Sequence, residues 1–438
     1  VLTLQFPTFL RSFFQLTAIN ILSNLLVPIA GLLDIAFLGH LSEIRYLAGV
    51  ALATVLFNYL YWTFGFLRMS TTGMTAQAVG RGDESETVLI GLRHGILAFL
   101  LGVVIILLQV PIRQFGFALL NATPEVEAAG QAFYNALIWG APATLMNFVI
   151  IGWLLGRSLS GRVLVLTAIN SIANVLLDYW FIVHSGWAST GAGLSTAISQ
   201  YLTLCTGLLI LTQTIDFKPL RGQIDRLWDL SALKTVVLLN RDIMIRTFVL
   251  ISTFAVFTNL SSAFGAISLS ANALLLQVVT LAAYFIDGVA FATETFAGTF
   301  YGQGSDRQLK QLAQWAGGMS LLVGFLFAIA FISYPDILFG RLTVHAEVLN
   351  YLKQYVVWLL PVLGFGSIAY MLDGYFLGLT QGKILRQAML QSVFIGFVPI
   401  AFLAWTKQSN HWLWFALSLF MAMRSLSLGL QCSKHHAR

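Results

Sequence analysis

Apolar residues fill this chain in long runs separated by short polar breaks, without the strict alternation of a half-buried strand. Twelve runs are each long enough to cross a hydrocarbon core of about 30 Å at about 1.5 Å per residue. They cover 12–38, 47–77, 89–111, 131–156, 163–184, 191–213, 235–261, 269–300, 311–333, 350–379, 385–405 and 411–430. An open sheet in lipid leaves backbone groups unpaired, so the runs predict twelve transmembrane helices in an all-α membrane protein. The longest polar stretch, 214–234, holds Lys218, Arg221 and Arg226 among Asp216, Asp225 and Asp229. It follows the sixth run and predicts a connector between two six-helix bundles, 1–213 and 235–438.

The pattern also repeats. Leu47–Asp83 aligns without a gap on Leu269–Ser305 at an offset of 222, pairing Ala51 with Ala273, Leu52 with Leu274, Gly80 with Gly302 and Gly82 with Gly304. The offset returns where Gly152-Trp153-Leu154-Leu155-Gly156 meets Gly374-Tyr375-Phe376-Leu377-Gly378. Trp139 and Pro142 match Trp358 and Pro361 after a shift of three. Isolated glycine matches arise by chance, but a register held over more than a hundred residues predicts two homologous halves. Six spans is an even number, so both halves enter the membrane with one polarity, as a parallel repeat about an axis along the membrane normal.

Composition agrees with lipid as the main solvent. Of 438 residues 58% are hydrophobic and 10% charged, where an ordinary soluble domain has about 25% charged. The net charge of +6 has no basic-aromatic interleaving that would suit nucleic acid. Loops after even-numbered runs carry Arg81, Arg93, Arg157, Arg162, the central group, Arg307, Lys310, Lys383 and Arg386. Loops after odd-numbered runs hold Arg45, Arg113, Arg341, Lys353 and Lys407. That bias predicts cytoplasmic even loops and two cytoplasmic termini. Cys205 and Cys432 form neither a disulfide framework nor a metal spacing.

Ionisable groups inside a membrane are costly, which makes five intramembrane acids the first functional candidates: Asp34, Asp178, Asp287, Glu294 and Asp373. Asp34 follows Pro28 and Gly31, which remove a backbone donor and weaken a helical turn, so an acid-controlled hinge is expected there. Asn174 and Asp178 are four apart and share a helical face, where the amide serves either protonation state of the acid. Thr196 on the next run is a third polar group. Spacings of ten and seven put Gln277, Asp287 and Glu294 on one face of the eighth run, the pattern of a cavity lining. Asp373 lies beside the Gly374/Gly378 pair, whose small residues let helices approach closely. Each acid has a plain structural reading as well, a hydrogen bond between helices. No Walker loop, His-Glu-x-x-His string or Gly-x-Ser-x-Gly elbow is present, so no cofactor is called for and an ion gradient is the expected energy source.

Six plus six spans, the proline-bearing first helix with Asp34, Gly39, His40 and Leu41, and the Asn174/Asp178 pair resemble the multidrug and toxic compound extrusion (MATE) transporters. The likeness is closest to their DinF-like branch, covers nearly the whole chain, and includes Gly80-Arg81-Gly82-Asp83 and Tyr301-Gly302-Gln303-Gly304. It implies a V-shaped pair of lobes and cation-driven export of organic compounds. It maps Asp34, Asn174, Asp178, Thr196 and Tyr134 onto a cation site in the first half. Two departures stand out: Ile151 replaces an Asn found in many relatives, and the seventh run has no acid over 243–260, where some branches carry a Glu.

The resulting expectation is a monomeric antiporter that exports amphipathic or cationic small organic molecules in exchange for H+, with Na+ at Asp34, Asp178, Asn174 and Thr196 as the alternative ion. A lipid or lipid-linked oligosaccharide flippase would share the architecture, yet its anionic headgroups ask for a cationic cavity, and only Arg68 and Arg246 stand out against the acids. An intramembrane aspartyl protease would use two aspartates as a dyad, but the Gly-x-Gly-Asp string is missing. The chain therefore reads as a transporter and not an enzyme.

Overall fold

A computed structural model describes residues 6–120, 122–215, 224–343 and 345–436. Helices are the only regular structure among them. Twelve are long and apolar enough to cross a membrane, and each coincides with one predicted run. We number them α1 (Phe9–Gly39), α2 (Ile44–Arg81), α3 (Glu84–Leu107), α4 (Pro124–Gly156), α5 (Ser160–His184), α6 (Ala188–Thr214), α7 (Leu230–Ala263), α8 (Ala266–Gly302), α9 (Asp306–Ser333), α10 (Ala346–Gly378), α11 (Gly382–Lys407) and α12 (Asn410–His435).

Helix ends follow local chemistry. Gly82 stops α2 in the left-handed region, with φ 72°. Asp83 then starts α3 by accepting from Glu86 N at 2.9 Å. Of the predicted connector, residues 216–223 lie outside the described part. The remainder is held on α3, where buried Arg93 donates to Arg226 O at 2.7 Å and to Glu86 Oε1 at 2.6 Å.

The chain divides into two compact units. The N unit is Leu22–Val237; the C unit is Leu238–Arg438 together with the chain up to Ile21. The repeat is visible inside each. In the N unit a Cβ on Gly152 or Gly156 would overlap Arg68 O or Thr72 O of α2. In the C unit a Cβ on Gly374 or Gly378 would overlap Ala290 O or Glu294 O of α8. All four contacts obey the 222-residue offset, so the same backbone-to-backbone approach is built twice. The tryptophan–proline match also has a structural meaning. α4 tightens to a 3₁₀ turn at Ile138–Gly140 and α10 at Val356–Trp358, each just ahead of the matched proline.

Sequence division assigned all of α1 to the first bundle, whereas the turns before Leu22 pack within the C unit. Phe9 meets Phe296 edge-on at 5.4 Å and Phe300 at 5.6 Å, and Phe13 meets Phe296 at 6.1 Å. Gly288 of α8 leaves room for Ile21, which a Cβ would strike. Four phenylalanines bury a large apolar area, and this local gain decides where the first turns belong. The rest of the C-unit core is a cluster of aliphatic side chains with Phe257, Trp414 and Phe420.

Candidate functional site

The N unit brings the predicted pair together. α5 keeps α-helical register to Asp178 and then widens to a π-helix over Tyr179–His184. Asp178 therefore sits at a change of helical pitch, fully buried. Asn174, one turn earlier and also buried, donates to Thr196 Oγ1 at 3.3 Å. Thr196 itself donates to Ala192 O at 3.0 Å. Its neighbour Ser195 donates a short hydrogen bond to Asp178 Oδ1. The Asp34 carboxyl, half-buried on α1, meets the Asp178 carboxyl directly. Asp34 Oδ1 and Asp178 Oδ2 are buried, and no donor reaches either among the described residues.

Two facing carboxyls short of donors cannot both carry negative charge at low cost. They can share a proton, or hold a small cation between them. Residues that complete this arrangement come from three helices, α1, α5 and α6, with Ser171 of α5 adding a 3.4 Å bond to Leu26 O of α1. α1 stays helical through Pro28. A Cβ on Gly31 would meet open space, so that glycine is not there to admit a neighbour.

Tyr134, mapped onto the site by resemblance, is placed elsewhere. Its hydroxyl donates to Gln109 O at 3.0 Å, and its ring packs on Phe57 and Phe117. Ser195 is the residue that sequence reasoning passed over. A serine in an apolar helix is too common a signal to stand out, although its place one residue before Thr196 puts it beside the same pair.

The C unit treats its acids differently. Asp373, buried on α10, accepts short ion-pair hydrogen bonds from Arg246 of α7 and Arg424 of α12, both buried. The two guanidiniums use the same oxygen, Oδ2. Asp287 and Glu294 of α8 act electrostatically on Arg246. The stripe they form with Gln277 is graded along α8: Gln277 is exposed, Asp287 half-buried and Glu294 fully buried. Sequence analysis marked Asp373 and Arg246 separately but missed Arg424 and the pairing. The partners lie 127 and 51 residues from the acid, a separation no local spacing rule reaches.

Among the described residues no group of three or more His, Cys, Asp or Glu side chains gathers as a metal centre. Comparison with known proteins then places the chain. The MatE family model matches it twice, over 20–180 and again over 243–403. The chain belongs to the MatE family. The two matches are displaced by almost the offset at which the sequence aligns on itself, so each half is one copy of the family's repeat. DNA damage-inducible protein F of Escherichia coli K12 is 32% identical over 427 residues, covering 97% of this chain and 92% of that protein. A protein described as a probable multidrug resistance protein NorM, from Thermotoga maritima, is 23% identical over 339 residues, 75% of this chain and 71% of the relative. The fold is that of a MOP superfamily transporter from Pyrococcus furiosus, with a TM-score of 0.86 at 17% identity, covering 97% of this chain and 95% of the other. This MATE protein is thus a multi-pass integral membrane transporter, as its composition and periodicity predicted.

Proposed function

We propose that this MATE transporter exports amphipathic or cationic organic molecules in exchange for protons, with Asp34 and Asp178 as the coupling pair. The contact between their carboxyls, with a donor-free buried oxygen on each, carries the reading. When the pair gains a proton it loses charge repulsion and acquires the donor it lacks. Losing that proton restores the repulsion across α1 and α5. Pro28 and Gly31 are the hinge through which α1 answers. Each proton moving down 100 mV supplies about 2.3 kcal/mol, roughly a fiftyfold bias between two states.

Protons are favoured over sodium by the donor set. Ser195 spends its hydroxyl hydrogen on Asp178, Asn174 turns its amide nitrogen to Thr196, and Ile151 supplies no oxygen. A sodium ion needs several oxygens converging with lone pairs free. The NorM-type relatives, named for multidrug resistance, support the cargo class. The arginine-rich end formed by Arg93, Arg157 and Arg226 is assigned to the cytoplasm, with both termini and the 214–234 connector. A single copy contains every residue of the pair, so the working unit is the monomer.

The test is transport into vesicles with proton and sodium gradients imposed separately. Export driven by the proton gradient alone, and lost in Asp34→Asn, is the expected result. Wild-type rates in Asp34→Asn vesicles under a proton gradient would overturn the mechanism, and export driven only by sodium would replace the ion.

A further inference from the structure

The C-unit charge cluster is unbalanced at one member. Asp373 Oδ2 serves two guanidiniums at once, so Arg246, Arg424 and Asp373 together carry one positive charge. Arg246 has further acids to answer it in Asp287 and Glu294. For Arg424 the acid in play is Asp373 alone. Its Nη2 is spent there, while Nε and Nη1 are buried without an acceptor, on a side chain only 1% exposed. Buried donors of a charged group are rarely left so, because each costs its desolvation with nothing in return. The guanidinium also lies over the Tyr370 ring, 4.9 Å from its centroid, and that ring is half-buried. A fixed cation with spare donors beside an accessible aromatic face fits a ligand with an anionic head and an apolar body.

We propose that Arg424, seated over Tyr370, binds the carboxylate of an amphipathic organic acid within the C unit. The cargo range then includes acids that the carboxyl-rich N unit would repel. Arg424 supplies two charge-assisted hydrogen bonds from Nε and Nη1, and Tyr370 supplies apolar contact for the body of the ligand. Asp373 holds the guanidinium in place and, by taking only Nη2, leaves the other donors available. Arg246 is the less suitable partner, since Asp287 and Glu294 already stand against it.

This inference rests on the transporter reading but not on the proton-coupling pair, and equilibrium binding without a gradient keeps the two apart. The probes are 1-pyrenebutyrate and 1-pyrenebutanol, which share a body and differ in the head, titrated against protein in nanodiscs of zwitterionic lipid. Wild type should bind the acid at least about tenfold more tightly than the alcohol. Arg424→Gln should abolish that preference while leaving alcohol binding within about twofold. Equal binding of both probes by wild type, or an unchanged preference in Arg424→Gln, overturns the proposal. Should Arg424→Gln fail to fold, photolabelling of wild type with a diazirine analogue of the acid decides. Labels on α10 or α12 beside Tyr370 and Arg424 uphold the site; labels confined to the N unit overturn it.

Discussion

The two halves of this chain share a helix plan and glycine contacts, yet they handle buried acid in opposite ways. In the N unit two carboxyls face each other, helped by one serine, and lack donors. In the C unit one carboxylate is gripped by two arginines. At the 222-residue offset Ile151 stands where the C unit has Asp373, and Leu202 where it has Arg424. Duplication therefore preserved the packing, while the charged chemistry was written separately into each copy. The lesson is that a frustrated site and a neutralised one grow on the same scaffold. A group that must take up and release a proton cannot have a permanent cation beside it. A group meant to hold its place can.

That contrast is open to attack by mutation. Asp373→Asn strands two buried guanidiniums, and breaking a buried pair costs about 3–5 kcal/mol. A fall in melting temperature of that order is expected, whether or not cargo is present. Asp34→Asn removes no ion pair, so thermal stability should be held while the gradient-driven accumulation ratio drops by up to about fiftyfold for one proton at 100 mV. Asp178→Asn should match it, and the double variant should be little worse than either, because the residues act as a unit. Finding that Asp34→Asn destabilises as much as Asp373→Asn would erase the distinction between the two sites. A third pair tests what the halves have in common. Gly152→Ala and Gly374→Ala insert a methyl group against equivalent carbonyls. Each should cost about 1–3 kcal/mol in melting experiments, by similar amounts. The smallest effect is expected at the exposed end of the N unit, where Arg157 meets Glu84 at 3.1 Å. Glu84→Gln should change stability by no more than about 1 kcal/mol.

Much of this was legible in the residue order, for physical reasons. Lipid leaves the backbone no partner but itself, so twelve apolar runs could only become twelve helices. The duplication showed because glycines at close helix crossings tolerate no substitution by larger residues, which kept both copies in register. Asn174 and Asp178 could be paired because four residues make one turn. Arg424 could not be joined to Asp373, since the bond crosses between helices and depends on how they are rotated. Ser195 stayed hidden among many serines of similar surroundings. The graded burial of Gln277, Asp287 and Glu294 was likewise beyond periodicity, which gives a shared face but not what covers it along its length.

The aromatic contact at the beginning of α1 bears on how the protein is made. Phe9 and Phe13 leave the ribosome first, yet their partners Phe296 and Phe300 follow hundreds of residues later. The C unit is therefore discontinuous along the chain, and its contact order is high whatever the neatness of the repeat. During synthesis the first turns of α1 wait with an apolar face uncovered until α8 has entered the bilayer. Two fragments severed near residue 230 would each be short of something: the first would carry an unanswered pair of phenylalanines, and the second would have a groove at Gly288 with nothing to fill it. Reassembly from such halves would have to be led by the first few turns of the molecule, the segment a simple division into two equal halves would assign to the other side.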